Sequence, residues 1–326
     1  MKPKFDIISI GDTQHDVFLE LEEETKILED KKTKTKYLGV VYAEKIPVKK
    51  FTSIVAVGNS ANVAIGCSRL GLKTAFYTML GSDIIGREEF DVFKKEKVAP
   101  DYIVWDRKRG SNFSAVLNYR GERTILVHHE HRDYVLPKLA PAAWVYLSSM
   151  GPGFEKIHGA LLRYVKKHKA KMGFNPGSFQ MKARLKKLAL VIRQSTVFFV
   201  NREEAETLLK KRADIKTLLR LLHRLGPKTV VITDGPKGSY SFDGKQVLFL
   251  PIFPAKIVER TGTGDAYSTG FISALAHGYG VAEAMRWGTF NSASKIQSIG
   301  ARQGLLSKSA MTGFIEKHKT FQPKRI

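Results

Sequence analysis

Short apolar runs recur along the chain, and the stretches between them are polar with one apolar stripe. Phe5 to Ile10, Thr74 to Leu80, Trp144 to Leu147, Lys171 to Phe174, Val197 to Val200 and Thr229 to Thr233 are such runs. They have the make-up of strands covered on both faces. Around Lys156 to His168, Arg202 to Lys210 and Ile215 to Leu225 the apolar residues return at helical spacing instead. This alternation predicts an α/β fold with a mostly parallel sheet and helices on both faces. Val281 to Ile299 predicts another helix, as does the segment after Thr263, where Gly270, Phe271, Ala274 and Leu275 recur. Gly270 and Ala274 are small enough for that helix to lie close on the sheet.

Two segments break the rhythm. Val17 to Thr52 has no helical period; Tyr37, Val40, Val41, Tyr42 and Ile46 are strand formers ahead of Pro47. Tyr102 to Val127 carries Ile103, Val104, Phe113, Leu117, Ile125 and Val127 in short strand-like runs, with Arg120-Gly121-Glu122-Arg123 as a hairpin turn. Excursions of β-strands are therefore expected at about 13–56 and 102–127, on a single unit spanning 1–326.

Composition adds one surprise. A hydrophobic content of 43% and a charged content of 26% are ordinary for a globular protein. The net charge of +23, from 54 Lys and Arg against 31 Asp and Glu, is not. The basic residues are spread over Lys31 to Lys36, Arg163 to Lys171, Lys182 to Lys187, Lys210 to Arg212 and Lys317 to Arg325, as solvated helix faces would be. This favours a basic surface that steers phosphorylated ligands over a dedicated nucleic-acid site. The single cysteine, Cys67, excludes an internal disulfide and fits a reducing cytoplasm. No stretch is apolar enough for a signal peptide or a membrane span. His128, His129 and His131 lack the spacing of a metal site and read as a loop.

The candidate chemistry centres on Val258-Glu259-Arg260-Thr261-Gly262-Thr263-Gly264-Asp265-Ala266-Tyr267. Gly262 and Gly264 permit a tight turn, the helix behind it presents unpaired amides to an anion, and Asp265 sets a carboxylate at their edge. The spacing resembles the second signature of the PfkB (ribokinase-like) carbohydrate kinase family, usually written Asp-Thr-x-Gly-Ala-Gly-Asp. Here Glu259, Arg260 and Thr263 replace the leading Asp, the Thr and the Ala, while Gly262, Gly264 and Asp265 are retained.

Four further motifs fall in the family's order. Asp16 follows Gly11 where the family has its substrate-binding Asp. Gly58 and Asn62 in Val57-Gly58-Asn59-Ser60-Ala61-Asn62, with Leu70-Gly71 beyond, resemble the first signature, in which Val57 replaces the leading glycine. Asn201 and Glu204 match Asn-x-x-Glu, and they also read as a helix capping box. Thr233, Gly235 and Gly238 match the Thr-x-Gly-x-x-Gly nucleotide loop, and Asn291 falls where the family lines its base pocket. Asp83, in Gly-x-Asp-x-x-Gly, reads as a helix cap.

The resemblance implies a ribokinase-like three-layer α/β/α sandwich whose excursions form a small β-sheet lid. It implies ATP-dependent phosphorylation of a sugar or sugar-like hydroxyl. Asp265 would be the base, and Gly262, Thr263 and Gly264 the anion hole. Asp16, Gly58 and Asn62 would orient the substrate, while Asn201 and Glu204 would organise Mg2+. Glu259 and Arg260 leave open the monovalent-cation site of some members. Two partner expectations follow: a homodimer through the lid, and no nucleic acid. The alternatives are a nucleoside kinase on the same fold, or a noncatalytic protein that holds RNA or a partner.

Overall fold

The computed structural model describes residues 3–183 and 185–326. Its first third contains β1 (Phe5–Ile10), β2 (Gln14–Leu21), β3 (Lys26–Glu29), β4 (Lys36–Gly39), β5 (Val48–Val57), α1 (Asn59–Arg69), β6 (Thr74–Gly81), α2 (Ile84–Lys95) and β7 (Ala99–Asp106). The middle carries β8 (Phe113–Tyr119), β9 (Glu122–His128), β10 (Ala142–Leu147), α3 (His158–His168), β11 (Lys171–Phe174), α4 (Ser178–Lys182), α5 (Leu185–Gln194), β12 (Val197–Asn201), α6 (Arg202–Leu209) and α7 (Ile215–His223). The remainder is β13 (Thr229–Thr233), β14 (Ser239–Phe242), β15 (Val247–Leu250), α8 (Thr263–Ala276), α9 (Val281–Lys295), α10 (Lys308–Lys317) and β16 (Lys324–Arg325).

The main sheet runs β16-β15-β14-β13-β12-β11-β10-β1-β6-β7. It is parallel from β13 to β7 and closes at the other edge with antiparallel strands. The strand pleat divides its side chains between two helix layers. Ile7, Tyr146, Phe199 and Val231 pack with Val63 and Cys67 of α1, Phe271 of α8 and Phe290 of α9. Their alternating neighbours Ile8, Val145, Phe198 and Val230 pack with Leu161 of α3, Val191 of α5 and Leu218 of α7. Both faces are dry, which is why these strands read as continuous apolar runs.

A second sheet, β5-β2-β8-β9, stands outside these layers. Its core is small: Phe18, Ile54, Val57 and Val116 close on Ala301. Phe51, Ile125, Leu126 and Val127 lie exposed. The turn into β9 uses Arg120 and Gly121, both at positive φ, which matches the twist of a tight hairpin. Among the described residues, β3 and β4 pair only with each other.

Two expectations are corrected. The second excursion begins later than residue 102: Tyr102 to Asp106 belong to β7, which pairs parallel with β6 at the edge of the main sheet. Buried Tyr102 packs edge-to-face on Phe5, so it is part of the main core. Gly270 faces a helix rather than the sheet, since a Cβ there would sit 2.4 Å from the Trp287 carbonyl of α9. Asp83 does cap α2, accepting from the Gly86 amide at 2.9 Å.

Candidate active site

Gly262, in the left-handed conformation at φ 76°, ends the loop and starts α8. A Cβ there would meet Ala301 Cα at 2.8 Å, so the turn requires glycine both for its dihedrals and for its close approach. Gly264 is different: nothing lies within 4 Å of the place a Cβ would take, and that space opens on the cleft. The amides of Gly262, Gly264 and Asp265 meet no acceptor among the described residues. The Thr263 amide instead leans on the Arg260 carbonyl at 3.3 Å. Of the three amides expected to meet an anion, those of Gly262 and Gly264 are open and that of Thr263 closes the loop on itself through Arg260.

Asp265 is buried in the first turn of α8, where Asn62 Nδ2 of α1 donates to its Oδ2 at 2.8 Å. Burial pushes its carboxyl up to about 6, against the opposing pull of Asn62 and Lys295. Asn62 Oδ1 is buried with no partner among the described residues, leaving an acceptor open beside Asp265.

Asp16 lies buried on β2 of the lid sheet, where Gln14 Nε2 donates to it at 2.7 Å. Burial raises it to about 6 as well, and the nearby Glu259 carboxylate adds to the shift. Gly58, at φ 114°, turns the chain from β5 into α1, with the Asp12 carbonyl 3.0 Å from where a Cβ would be. Asp12 is a brace: its Oδ2 accepts from Tyr134 at 2.6 Å and from the Gly151 amide at 2.7 Å.

Asn201 and Glu204 form the reciprocal capping box, both bonds at 2.8 Å, at the start of α6. They share a cleft of about 330 Å3 with Asn59, Arg123, Gly264 and Asp265. Glu204 is half-buried and its carboxyl is held above the usual range, by loss of water first and by the Asp265 charge after that. One of its oxygens is committed to the Asn201 amide, and Mg2+ prefers few protein oxygens plus those of phosphates, so the pair fits such an ion.

The monovalent cation fares otherwise. Carbonyl oxygens behind the loop, those of Glu259 and Ser298, already receive Lys295 Nζ at 3.0 and 3.4 Å, so this donor set does not fit an added ion.

A second pocket of about 260 Å3 adjoins the cleft through Thr233, Gly264 and Tyr267, which line both. Gly235 and Gly238 lie on it, and Ile252, Phe253 and Ile257 give it apolar walls. Asn291 does not reach it. That side chain is fully buried, donating to the Ala266 carbonyl at 2.7 Å and accepting from the Leu306 amide at 2.9 Å. Its neighbours Thr289, Ser292 and Ala293 line the wall instead. Both ends of its amide are spent on backbone, a structural duty no spacing reveals.

Sequence reasoning singled out neither Lys295 nor Asn59, and gave Arg123 only a place in a hairpin turn. A signal for Lys295 existed: with Ala284, Gly288 and Asn291 it falls on one buried stripe of α9, where a lysine is out of place.

The pfkB family carbohydrate kinase model matches residues 33–308. The chain belongs to that family. As a sugar kinase of this family it uses ATP. It is 27% identical to 5-dehydro-2-deoxygluconokinase of Clostridium perfringens, covering 98% of this chain and 95% of the relative. It is also 27% identical to an uncharacterized sugar kinase of Archaeoglobus fulgidus, over 74% of this chain and 98% of that one. Among solved structures, the nucleoside kinase of Methanocaldococcus jannaschii superposes with a TM-score of 0.80 at 17% identity, covering 98% of this kinase and 100% of that chain. Arabidopsis thaliana ribokinase, complexed with ribose and ATP, gives 0.79 at 19%, covering 97% and 99%. These likenesses establish the ribokinase-like fold. Among the described residues, no helix is long and apolar enough to cross a membrane.

Proposed function

We propose that this kinase transfers the γ-phosphoryl group of ATP to a hydroxyl of a small sugar acid, with Asp265 as the base. One observation carries the reading: a buried, hydrogen-bonded carboxylate stands at the free amides of a helix start, facing a cleft that continues into an apolar-walled pocket. The acceptor oxygen attacks the γ-phosphorus, the bond to the β–γ bridging oxygen breaks, and ADP leaves. Asp265 takes the hydroxyl proton as the new bond forms. The amides of Gly262, Gly264 and Asp265 receive the charge on the transferring group, where most of the barrier is lowered in phosphoryl transfer.

Asn62 Oδ1 and Asp16 offer acceptors to substrate hydroxyls, and Gly58 keeps the backbone path that sets them. Thr233, Gly235 and Gly238 cradle the nucleotide phosphates and Phe253 flanks the base. Asn201 and Glu204 hold Mg2+, which when bound neutralises the phosphates. Closure of the lid excludes water that would otherwise accept the phosphoryl group.

The choice of a sugar acid rests on Arg123, a lid cation in the same cleft as Asp265, and on the relatives named 5-dehydro-2-deoxygluconokinase. A nucleoside acceptor is the second reading, favoured by the likeness to a nucleoside kinase. ATP with ribose, fructose, adenosine and a keto-deoxy sugar acid, each followed by ADP release, separates the two. Phosphorylation of adenosine alone would overturn the sugar-acid assignment. RNA binding without turnover on any acceptor would overturn the enzyme. The exposed apolar residues of β5 and β9 support a homodimer through the lid, which sedimentation would test. The single buried cysteine fits work in the cytoplasm.

A further inference from the structure

Lys295 is the last residue of α9 and is fully buried. A lysine is almost never buried without a partner of opposite charge in contact. Among the described residues it forms no ion pair within 4 Å; its Nζ instead donates to the carbonyls of Glu259 at 3.0 Å and Ser298 at 3.4 Å. The Glu259 carboxylate is near enough to act on it electrostatically, and its Oε2 accepts from the Gly300 amide at 2.6 Å. Val258 and Glu259 amides both donate to the Ile296 carbonyl, at 2.9 and 3.1 Å. The anion-hole loop thus rests on the turn that follows α9, and Gly262 itself touches Ala301 of that turn.

Carbonyl oxygens converging with a nearby carboxylate are the donor set of a hard monovalent cation. Here the cation is covalently attached. We infer that the Lys295 ammonium serves as a tethered internal cation, a positioning residue that locks the loop 259–264 against the turn 296–301 and makes the kinase independent of added potassium. The charge holds the loop by fixing the Glu259 carbonyl, and with it the direction of the Gly262 and Gly264 amides, and its field also draws the Asp265 carboxyl down against burial.

The activity arm of the test rests on the kinase reading; the nucleotide-binding and melting arms do not. The full chain is compared in KCl and in tetramethylammonium chloride at equal ionic strength, by calorimetric ATP binding, melting temperature and turnover. Wild type should agree within about twofold between the two salts, because its cation is built in. Lys295→Ala should lose about tenfold or more in turnover and ATP affinity in tetramethylammonium, and KCl should restore most of both while raising its melting temperature. Lys295→Met fills the same space without charge, so it should show the loss with no rescue.

Wild-type activation or stabilisation by potassium of about tenfold would overturn the inference. So would wild-type behaviour of Lys295→Ala and Lys295→Met in tetramethylammonium. If Lys295→Ala does not fold, Lys295→Met and the wild-type salt comparison decide alone. Failure of wild type to phosphorylate any acceptor would count against the kinase reading, while binding and melting would still judge Lys295.

Discussion

The two sheets of this molecule are built on opposite terms. The ten-stranded sheet is dry on both faces, and its strand ends carry Asn201, Thr233 and, through the helices packed on it, Asn62 and Asp265. The four-stranded sheet buries one face around Phe18, Ile54, Val57 and Val116 and leaves Phe51 and Ile125 to Val127 in the open. The groups proposed for the chemistry sit on the first. Asp16 and Arg123, proposed to meet the substrate, sit on the second. Local stability follows buried apolar contact, so opening should be cheapest where the core is thinnest.

The largest break in that comparison is Asp265→Asn. Turnover should fall at least about a hundredfold, the usual worth of a general base, while ATP affinity stays within about twofold. Calorimetry beside steady-state kinetics checks both; unchanged turnover would remove Asp265 from the role.

Truncating one aromatic in each sheet's core sharpens the contrast. Phe271→Ala, at a fully buried site, should cost about 3–5 kcal/mol of global stability by denaturant titration. Phe18→Ala should cost less globally and show itself in faster amide exchange of β2 and β8 and in a raised acceptor KM. Equal losses in the two variants would mean that the lid is no softer than the sandwich.

Gly262→Ala tests the junction between the two. Left-handed backbone costs a side-chain residue about 1–2 kcal/mol, and the clash with Ala301 adds to it. Melting temperature and turnover should fall together.

Arg123→Ala should raise the KM for an acidic acceptor about tenfold and leave the ATP KM unmoved, since a charge-assisted bond contributes roughly 1.5–3 kcal/mol. A neutral sugar should show little difference.

The gentlest probe is pH. Asp265 must be ionised to act, and burial raises its carboxyl to about 6. Activity per unit of free enzyme, kcat/KM, should be flat above about pH 7 and fall as the pH drops through 6. Asp16, also raised to about 6, steepens the acid limb beyond the slope of a single group. A flat profile down to pH 5 would contradict the buried base.

The sequence alone was enough for the layered fold, the family and the loop at its centre. Alternating apolar runs can only be covered by helices on both faces, and Gly262, Gly264 and Asp265 keep a spacing whose turn and helix start follow from local backbone rules. Local rules also disclosed the Asn201–Glu204 box and the turn at Arg120–Gly121. What they did not disclose involves partners far apart in the chain. Asn291 looked like a pocket residue until Ala266 and Leu306 were seen to consume its amide. Tyr102 looked like lid until β7 paired with β6. Lys295 shows the limit most clearly: its meaning lies in two carbonyls, one of them 36 residues away, that only folding brings to its ammonium. Periodicity reports which face of an element is covered; tertiary structure decides which polar atoms find one another beneath it.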